Sequence, residues 1–357
     1  MVRNRKCVAG IILALCCLLL LGGCAGGGNI GDKDDYPENG KIKIVTTVFP
    51  AYDFARQVAG ERAEVMLLLS PGEEVHSYEP SPKEIIAIEE CDLFIYVGGE
   101  SDTWIKGVLE TIDEKDKEVI SMMEVVDVLT EEITEGMVHS HWNSLWGWLQ
   151  ELIHSEDGDH EGKHAHEDGE VCDDPDHHHE TEYDEHVWTS PENAGRIVSA
   201  IADTICGLDP EGESVYRRNE KAYLGELEQL TNELIAVRKR AVRDTIIVAD
   251  RFPYRYLAEF LDVEYYAAFP GCAEETEPSA KTVAFLIDKI RQEEIPVVFY
   301  QEFSSHMMAE TIAADTGAEA LLLHSCHNVT KKEFDSGVTY LDLMRQNVEV
   351  LERALCD

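Results

Sequence analysis

Basic residues are scarce in this chain of 357 residues, in which 30 Lys and Arg face 71 Asp and Glu for a formal net charge of −41. A surface of this sign repels nucleic acid and anionic lipid, so neither is an expected partner of the folded body. It suits the attraction of cations and solubility outside the cell. The length suffices for two ordinary domains.

The chain also lacks an apolar run long enough to span a bilayer comfortably. Its N-terminal run, residues 8–21, follows a basic stretch and has the length of a signal peptide. The run ends in Leu21-Gly22-Gly23-Cys24, which resembles a bacterial lipobox. We therefore expect a signal peptide over 1–23, lipidation of Cys24 and a tether over 24–40. A plain secretory signal or an N-terminal anchor helix is the alternative.

The ten cysteines include no Cys-x-x-Cys pair, so no paired thiolate zinc site is indicated. An extracytoplasmic compartment would permit disulfides, although spacing alone does not give the pairing. We expect Cys272 to pair with Cys326, because both follow apolar strand-like runs in the same half of the chain. Cys91 and Cys206 lie in apolar segments and are expected to be buried.

Histidine, in contrast, is abundant in one segment. Nine of the 14 histidines fall between His139 and His179, among many carboxylates, and His186 follows closely. Imidazoles and carboxylates at this density favour binding of a divalent metal such as zinc. We predict that this loop is an accessory collector of metal, apart from a short amphipathic helix over 142–153. Its predicted accessory ligands are His139, His141, His160, His164, His166, His177, His178 and His179.

Strand-like and helical segments alternate on both sides of the histidine-rich loop, which predicts parallel sheets of the doubly wound type. The strand-like runs are 41–48, 64–69, 92–97, 118–121, 245–249, 264–268, 297–300 and 320–323. Between the two groups, one apolar stripe from Tyr216 to Val237 predicts a helix over 210–242 of about 45 Å.

The expected fold is therefore α/β with two lobes, each a mostly parallel four-stranded sheet flanked by helices, joined by a long rigid connecting helix. The N-terminal lobe would cover 41–209 with the histidine-rich loop at 139–185, and the C-terminal lobe 243–357. Ligands of such sheets gather at the carboxyl ends of strands. That rule selects His76, Asp250, Glu302 and His324.

Several motifs resemble the zinc/manganese solute-binding proteins of ABC importers, known as the cluster A-I or cluster 9 family. They are the lipobox, the stretch from Pro71 to Ser81, the histidine-rich loop, the segment His186-Val187-Trp188-Thr189-Ser190-Pro191, the stretches 209–223 and 277–280, and Tyr340-Leu341-Asp342-Leu343-Met344. The resemblance implies one metal bound between two lobes and passed to a membrane permease, without catalysis. It further implies a monomeric lipoprotein outside the bacterial cell membrane.

Carried over by motif, His76 and His186 are the first two metal ligands. At the family's third histidine position this chain has Ala249, and at the usual final aspartate it has His324. We therefore predict a zinc site of His76, His186, His324 and Glu302, because zinc accepts three imidazoles and one carboxylate. Manganese prefers more oxygen ligands. Asp250 is the reserve carboxylate, and His327 competes with His324.

Three alternatives remain open. A manganese or ferrous iron binding protein of the same family would differ only in its metal. A metal-dependent surface adhesin would share the fold. A secreted zinc hydrolase would need a metal-bound water and a general base, and the two-lobe pattern argues against it.

Overall fold

The computed structural model describes residues 40–73, 78–99, 102–111, 117–137, 182–273 and 278–357. The signal peptide, Cys24, His76 and the predicted helix over 142–153 lie outside these residues, as do Cys172 and all the accessory histidines. Residues 41–357 form one compact unit. Among the described residues, no helix combines the length and apolar character needed to cross a bilayer.

Two four-stranded sheets carry the fold, and both are parallel throughout. The first contains β1 (Ile42–Thr46), β2 (Ala63–Leu67), β3 (Leu93–Tyr96) and β4 (Glu118–Ser121) in the order β2-β1-β3-β4. The second contains β5 (Thr245–Phe252), β6 (Glu264–Pro270), β7 (Val297–Tyr300) and β8 (Glu319–Leu322) in the order β6-β5-β7-β8. All eight predicted strands are present, and the two-lobe α/β fold is confirmed.

Helices follow the strands and cover the sheets. They are α1 (Phe49–Ala59), α2 (Pro82–Glu90), α3 (Thr103–Thr111), α4 (Pro191–Leu208), α5 (Glu213–Arg240), α6 (Arg255–Leu261), α7 (Ala280–Glu293), α8 (Met307–Thr316), α9 (Lys331–Ser336) and α10 (Tyr340–Cys356). Ser190 caps the N-terminus of α4, since its hydroxyl accepts a hydrogen bond from Asn193 N at 3.4 Å.

The connecting helix is α5, whose 28 residues give it a length of about 42 Å. Its apolar stripe is buried along the whole helix and consists of Tyr216, Tyr223, Leu227, Leu230, Leu234 and Val237. The stripe packs against α1 and α4 of the first lobe and α10 of the second. One hydrophobic core therefore extends through both lobes, and a second, smaller core lies under α7 and α8.

The segment before the histidine-rich loop pairs with the last residues of the loop. Thr130 and Tyr183 form an antiparallel bridge, and Glu131 N donates to Glu182 O at 2.9 Å. We call residues 129–137 and 182–185 the stem. The stem belongs to the first lobe in sequence.

The stem nevertheless lies against the second lobe. The Tyr256 hydroxyl donates to Asp184 O at 2.8 Å, and Glu131 Oε1 accepts from Cys272 N at 3.0 Å. A Cβ at Gly136, where φ is +93°, would lie 2.1 Å from the Phe285 ring, so only glycine allows this close approach. These contacts bridge the two lobes beside the root of the loop.

The predicted disulfide between Cys272 and Cys326 is not formed, because both thiols are free in the structure. Cys272 follows β6 and Cys326 follows β8, which are opposite edges of the second sheet. Three strand spacings amount to about 14 Å, and a disulfide needs Cα atoms closer than about 7 Å. Cys91 is buried as expected, whereas Cys206 is only half-buried.

Candidate metal centre

A cavity of about 30 Å³ lies between the lobes at the carboxyl ends of the strands. Leu69 and Glu73 reach it from the first lobe, and His186 forms part of its wall. The second lobe contributes Arg251, Pro253, Gly271, Gln301, Glu302, Phe303, Ser325, His327 and Asn328. This is the edge of the sheets at which the sequence predicted the metal ligands.

His186 is the best defined of the predicted ligands. Its side chain is almost fully buried, and its Nδ1 lies 3.2 Å from Asp184 Oδ1, which also accepts the His186 backbone N–H at 2.8 Å. A carboxylate beside Nδ1 favours the proton on that nitrogen and leaves the Nε2 lone pair for a metal.

The charge state of His186 results from two opposing effects. Burial on its own lowers the pKa of the imidazole, whereas the charge and hydrogen bond of Asp184 raise it, and the net pKa is above the ordinary 6.5. Asp184 thus makes His186 both better oriented and more basic.

Glu302 lines the same cavity from the loop that follows β7, as the strand-end rule predicted. Its side chain is mostly buried, and its carboxylate accepts Ser325 N at 2.8 Å and the Ser325 hydroxyl. The carboxylate is therefore fixed by the turn that follows β8.

His324 occupies a different position. Its Nδ1 accepts the backbone N–H of Cys326 at 2.9 Å, and its own backbone N–H and C=O pair with the Asn347 amide at 2.8 and 2.7 Å. It lies behind Glu302, with Nδ1 3.5 Å from Oε1. The shorter contact with Cys326 N decides the role of Nδ1 as an acceptor. His324 is not part of the cavity wall, and its role as a ligand stays a prediction.

His327, the competitor of His324, does line the cavity. Its ring lies 5.3 Å from the His186 ring at an interplanar angle of 89°, and 5.0 Å from the Trp188 ring. It also borders a neighbouring cavity of about 10 Å³ with Asp102 and Glu185. The sequence indicated His327 only as a second histidine, three residues after His324.

Asn328 is a residue of the site that sequence reasoning missed. Its side-chain amide donates to Ser70 O at 2.8 Å and to Glu73 O at 2.9 Å. It thereby holds the first-lobe loop that leads to His76. An asparagine that binds backbone carbonyls has no motif of its own, so this role could not be predicted from the sequence.

Asp250 lies within β5, because that strand continues to Phe252 rather than ending at 249. Its Oδ1 accepts the N–H of Arg251 at 2.9 Å, and Asp250 is absent from the cavity wall. Ala249, at the position of the family's third histidine, is buried in the smaller core. Within the described parts of the chain, no three His, Cys, Asp or Glu side chains converge closely enough to hold a metal ion.

The family model described as zinc-uptake complex component A, periplasmic, matches residues 44–354, which is most of the chain. The chain belongs to this family. Zinc-uptake component A proteins are solute-binding proteins of metal uptake and not enzymes.

Named members of the zinc-uptake component A family are similar over nearly the whole chain. The zinc-binding lipoprotein AdcA of Streptococcus pneumoniae is 29% identical over 344 residues, which are 96% of this chain and 60% of AdcA. The high-affinity zinc uptake system protein ZnuA of Bacillus subtilis is 26% identical over 347 residues, 97% of each chain. This chain thus spans about 60% of AdcA and nearly all of the Bacillus protein.

A solved structure supports the same relationship. The crystal structure of the Zn(II)-bound ZnuA-like domain of Streptococcus pneumoniae AdcA aligns with a TM-score of 0.65 at 25% identity. The alignment covers 89% of this chain and all of that domain.

Proposed function

We propose that this protein captures Zn²⁺ in the interlobe cavity and delivers it to the permease of an ABC importer. The single observation that carries the proposal is His186, a buried imidazole in the cavity wall whose Nδ1 is held by Asp184. A carboxylate hydrogen-bonded to the far nitrogen of a metal-binding histidine fixes its tautomer. Membership of a zinc-uptake family supports zinc as the cargo.

The proposed site takes His76 and His186 from the first lobe and Glu302 with one imidazole from the second. Zinc binds such a set tetrahedrally, at distances of about 2.0 to 2.2 Å. His76 is the first-lobe imidazole that the motif supplies, and it lies outside the described residues.

The proposal is tested by removing metal from the purified protein and titrating zinc against a chromophoric chelator. We expect one tight site, which is lost in His76→Ala and in His186→Ala. Tight zinc binding that survives both substitutions would refute the interlobe site. His306→Ala is the matched control, because His306 packs on Tyr300 outside the cavity wall.

The choice of metal is tested in the same titration. Imidazole ligands favour zinc, and manganese favours oxygen ligands. We expect Mn²⁺ and Fe²⁺ to compete only at concentrations far above that of Zn²⁺. Equal competition by manganese would instead support the alternative within the family.

A hydrolase is the candidate of a different class. His160-Glu161-Gly162-Lys163-His164 has the His-Glu-x-x-His spacing of zinc hydrolases, although it lies outside the described residues. In those enzymes the motif lies on a helix that presents both histidines on one face. The matching family is not one of enzymes, so we assign these histidines to the accessory loop.

We further propose that Cys24 carries the lipid that anchors the protein outside the cell membrane and that the protein acts as a monomer. The relatives named lipoproteins support the anchor. Cys24→Ala should release the protein from the membrane fraction, and persistent membrane association would contradict a lipid on Cys24.

A further inference from the structure

We propose that His327, and not His324, is the second-lobe imidazole that binds the metal together with His186. The inference rests on the proposed function, because it assigns a ligand of the same site. It accounts for how this chain completes its site with Ala249 at the family's third histidine position.

The nitrogen of His324 that could bind a metal already accepts a hydrogen bond. A neutral imidazole has one nitrogen that donates a proton and one that accepts, and only the latter can bind a metal. In His324 the accepting nitrogen is Nδ1, which already takes the N–H of buried Cys326 at 2.9 Å. Binding through His324 would leave that N–H without an acceptor in a dry interior, a costly exchange.

A second point is the separation between His186 and His327. Two imidazoles bound to one tetrahedral zinc at about 2.0 Å per nitrogen have ring centroids about 5.2 Å apart. The observed separation is 5.3 Å, and the rings are nearly perpendicular. Both side chains line the same cavity. The distance between the two ring centroids thus matches that of two imidazoles bound to one zinc ion.

The backbone on both sides of His327 holds this residue in place. Cys326 has a φ of +62°, a left-handed conformation that is rare for a non-glycine residue. Beyond that turn, His327 O accepts the N–H of Phe49 in the first lobe at 3.1 Å. Asn328 then donates to the carbonyls of Ser70 and Glu73. His327 is thus fixed against the first lobe, whereas His324 is fixed against α10.

The test compares His327→Ala, His324→Asn and His186→Ala in the full chain, with thermal unfolding of each metal-free variant to establish folding. Asparagine at 324 retains an oxygen that can accept the Cys326 N–H. In His327→Ala we expect zinc affinity to fall by more than about 100-fold, which is the largest usual effect of losing a residue that only supports a ligand. In His324→Asn we expect a change below about tenfold, smaller than such an effect.

Loss of affinity in His324→Asn with unchanged affinity in His327→Ala would overturn the inference but leave the zinc site intact. Unchanged affinity in His186→Ala would instead refute the proposed function. If His327→Ala fails to fold, His327→Gln loaded with Co²⁺ serves in its place. A cobalt visible spectrum identical to that of the unsubstituted protein would then exclude His327 as a ligand.

Discussion

At the scale of single residues, Asp184 connects the stem to the proposed metal site. It lies in the stem, its backbone C=O accepts from Tyr256, and its carboxylate holds His186. A Cβ on Gly271 would lie 3.1 Å from Asp184 Oδ2, so Gly271 of the second lobe packs closely against this carboxylate.

Asp184→Asn should therefore weaken zinc binding by about 10- to 100-fold, the usual cost of losing a second-shell partner. The amide keeps an acceptor for one N–H but removes the negative charge that makes His186 basic. Chelator competition measures the effect, with Asp127→Asn as control, since Asp127 is an exposed partner of Arg196. An unchanged affinity would show that Asp184 does not tune the ligand.

Zinc affinity should also depend on pH. Metal binding requires a neutral imidazole. Burial lowers the pKa of His186 in the metal-free protein, but the charge and hydrogen bond of Asp184, with the charges of Glu185 and Glu131, together raise it above 6.5. Affinity is therefore full above that raised pKa and falls as the pH drops through it. Titrations between pH 5.5 and 8.5, the window around the ordinary value of about 6.5, should show this decline. A flat profile would contradict the role of His186.

Sequence reasoning predicted the ligands at the carboxyl ends of the strands, where those ends meet, and the cavity that His186 and Glu302 line is found at that edge. It did not distinguish His327 from His324. Which of the two histidines lines the cavity depends on the left-handed turn at Cys326, and a buried cysteine does not predict a positive φ. It also placed Asp250 at a strand end, because the last residues of β5 are too polar to look like strand.

At the scale of elements, the strands and the connecting helix were predictable because apolar runs and the helical period are local properties. The order of the strands is not local. Each lobe places its first strand between the second and third. In the second lobe this order puts β6 and β8 at opposite edges of the sheet, which keeps Cys272 and Cys326 too far apart for the expected disulfide.

The stripe of α5 gives a test of stability. Leu230 is fully buried in the shared core, so Leu230→Ala should lower the free energy of unfolding by about 2 to 5 kcal/mol. The neighbouring Gln229 is exposed, and Gln229→Ala should change it by less than about 0.5 kcal/mol. Urea denaturation of both metal-free variants measures the difference. Equal effects would mean that the stripe does not hold the lobes together.

Deleting residues 139–179 tests the histidine-rich loop. The stem pairs its own ends, so the deletion should leave the fold and the tight site intact while it lowers the number of weakly bound zinc ions. If the loop delivers zinc to the cavity, uptake at scarce zinc should fall with tight-site affinity unchanged. Unchanged uptake in that regime would refute the collector role.

At the scale of the whole molecule, the two lobes are joined by much more than one helix. Asp53, fully buried in α1, accepts the N–H of Tyr340 at 2.9 Å, and the Tyr340 hydroxyl donates to Trp188 O at 2.6 Å. Trp188 Nε1 donates to Ser325 O at 2.8 Å. Opening the lobes as rigid bodies would break these buried bonds together with the shared core.

Zinc binding should therefore leave the overall dimensions of the protein unchanged. Small-angle scattering of the variant without residues 139–179 should give the same radius of gyration, about 20 Å for a chain of this size, with and without zinc. A clear contraction on loading would show that the lobes close as rigid bodies and that the cross-lobe bonds form only with metal.

The paired stem has a practical consequence for protein engineering. Its two segments pair at Glu131 and Glu182, and lengthening a segment between fixed ends costs only about 0.6 kcal/mol per doubling. A circularly permuted fluorescent domain fitted between Met137 and Glu182 would end two residues before Asp184, whose carboxylate orients His186. If zinc on His186 displaces Asp184, the emission should change with occupancy of the cavity, and this chain would then be a scaffold for a genetically encoded zinc sensor.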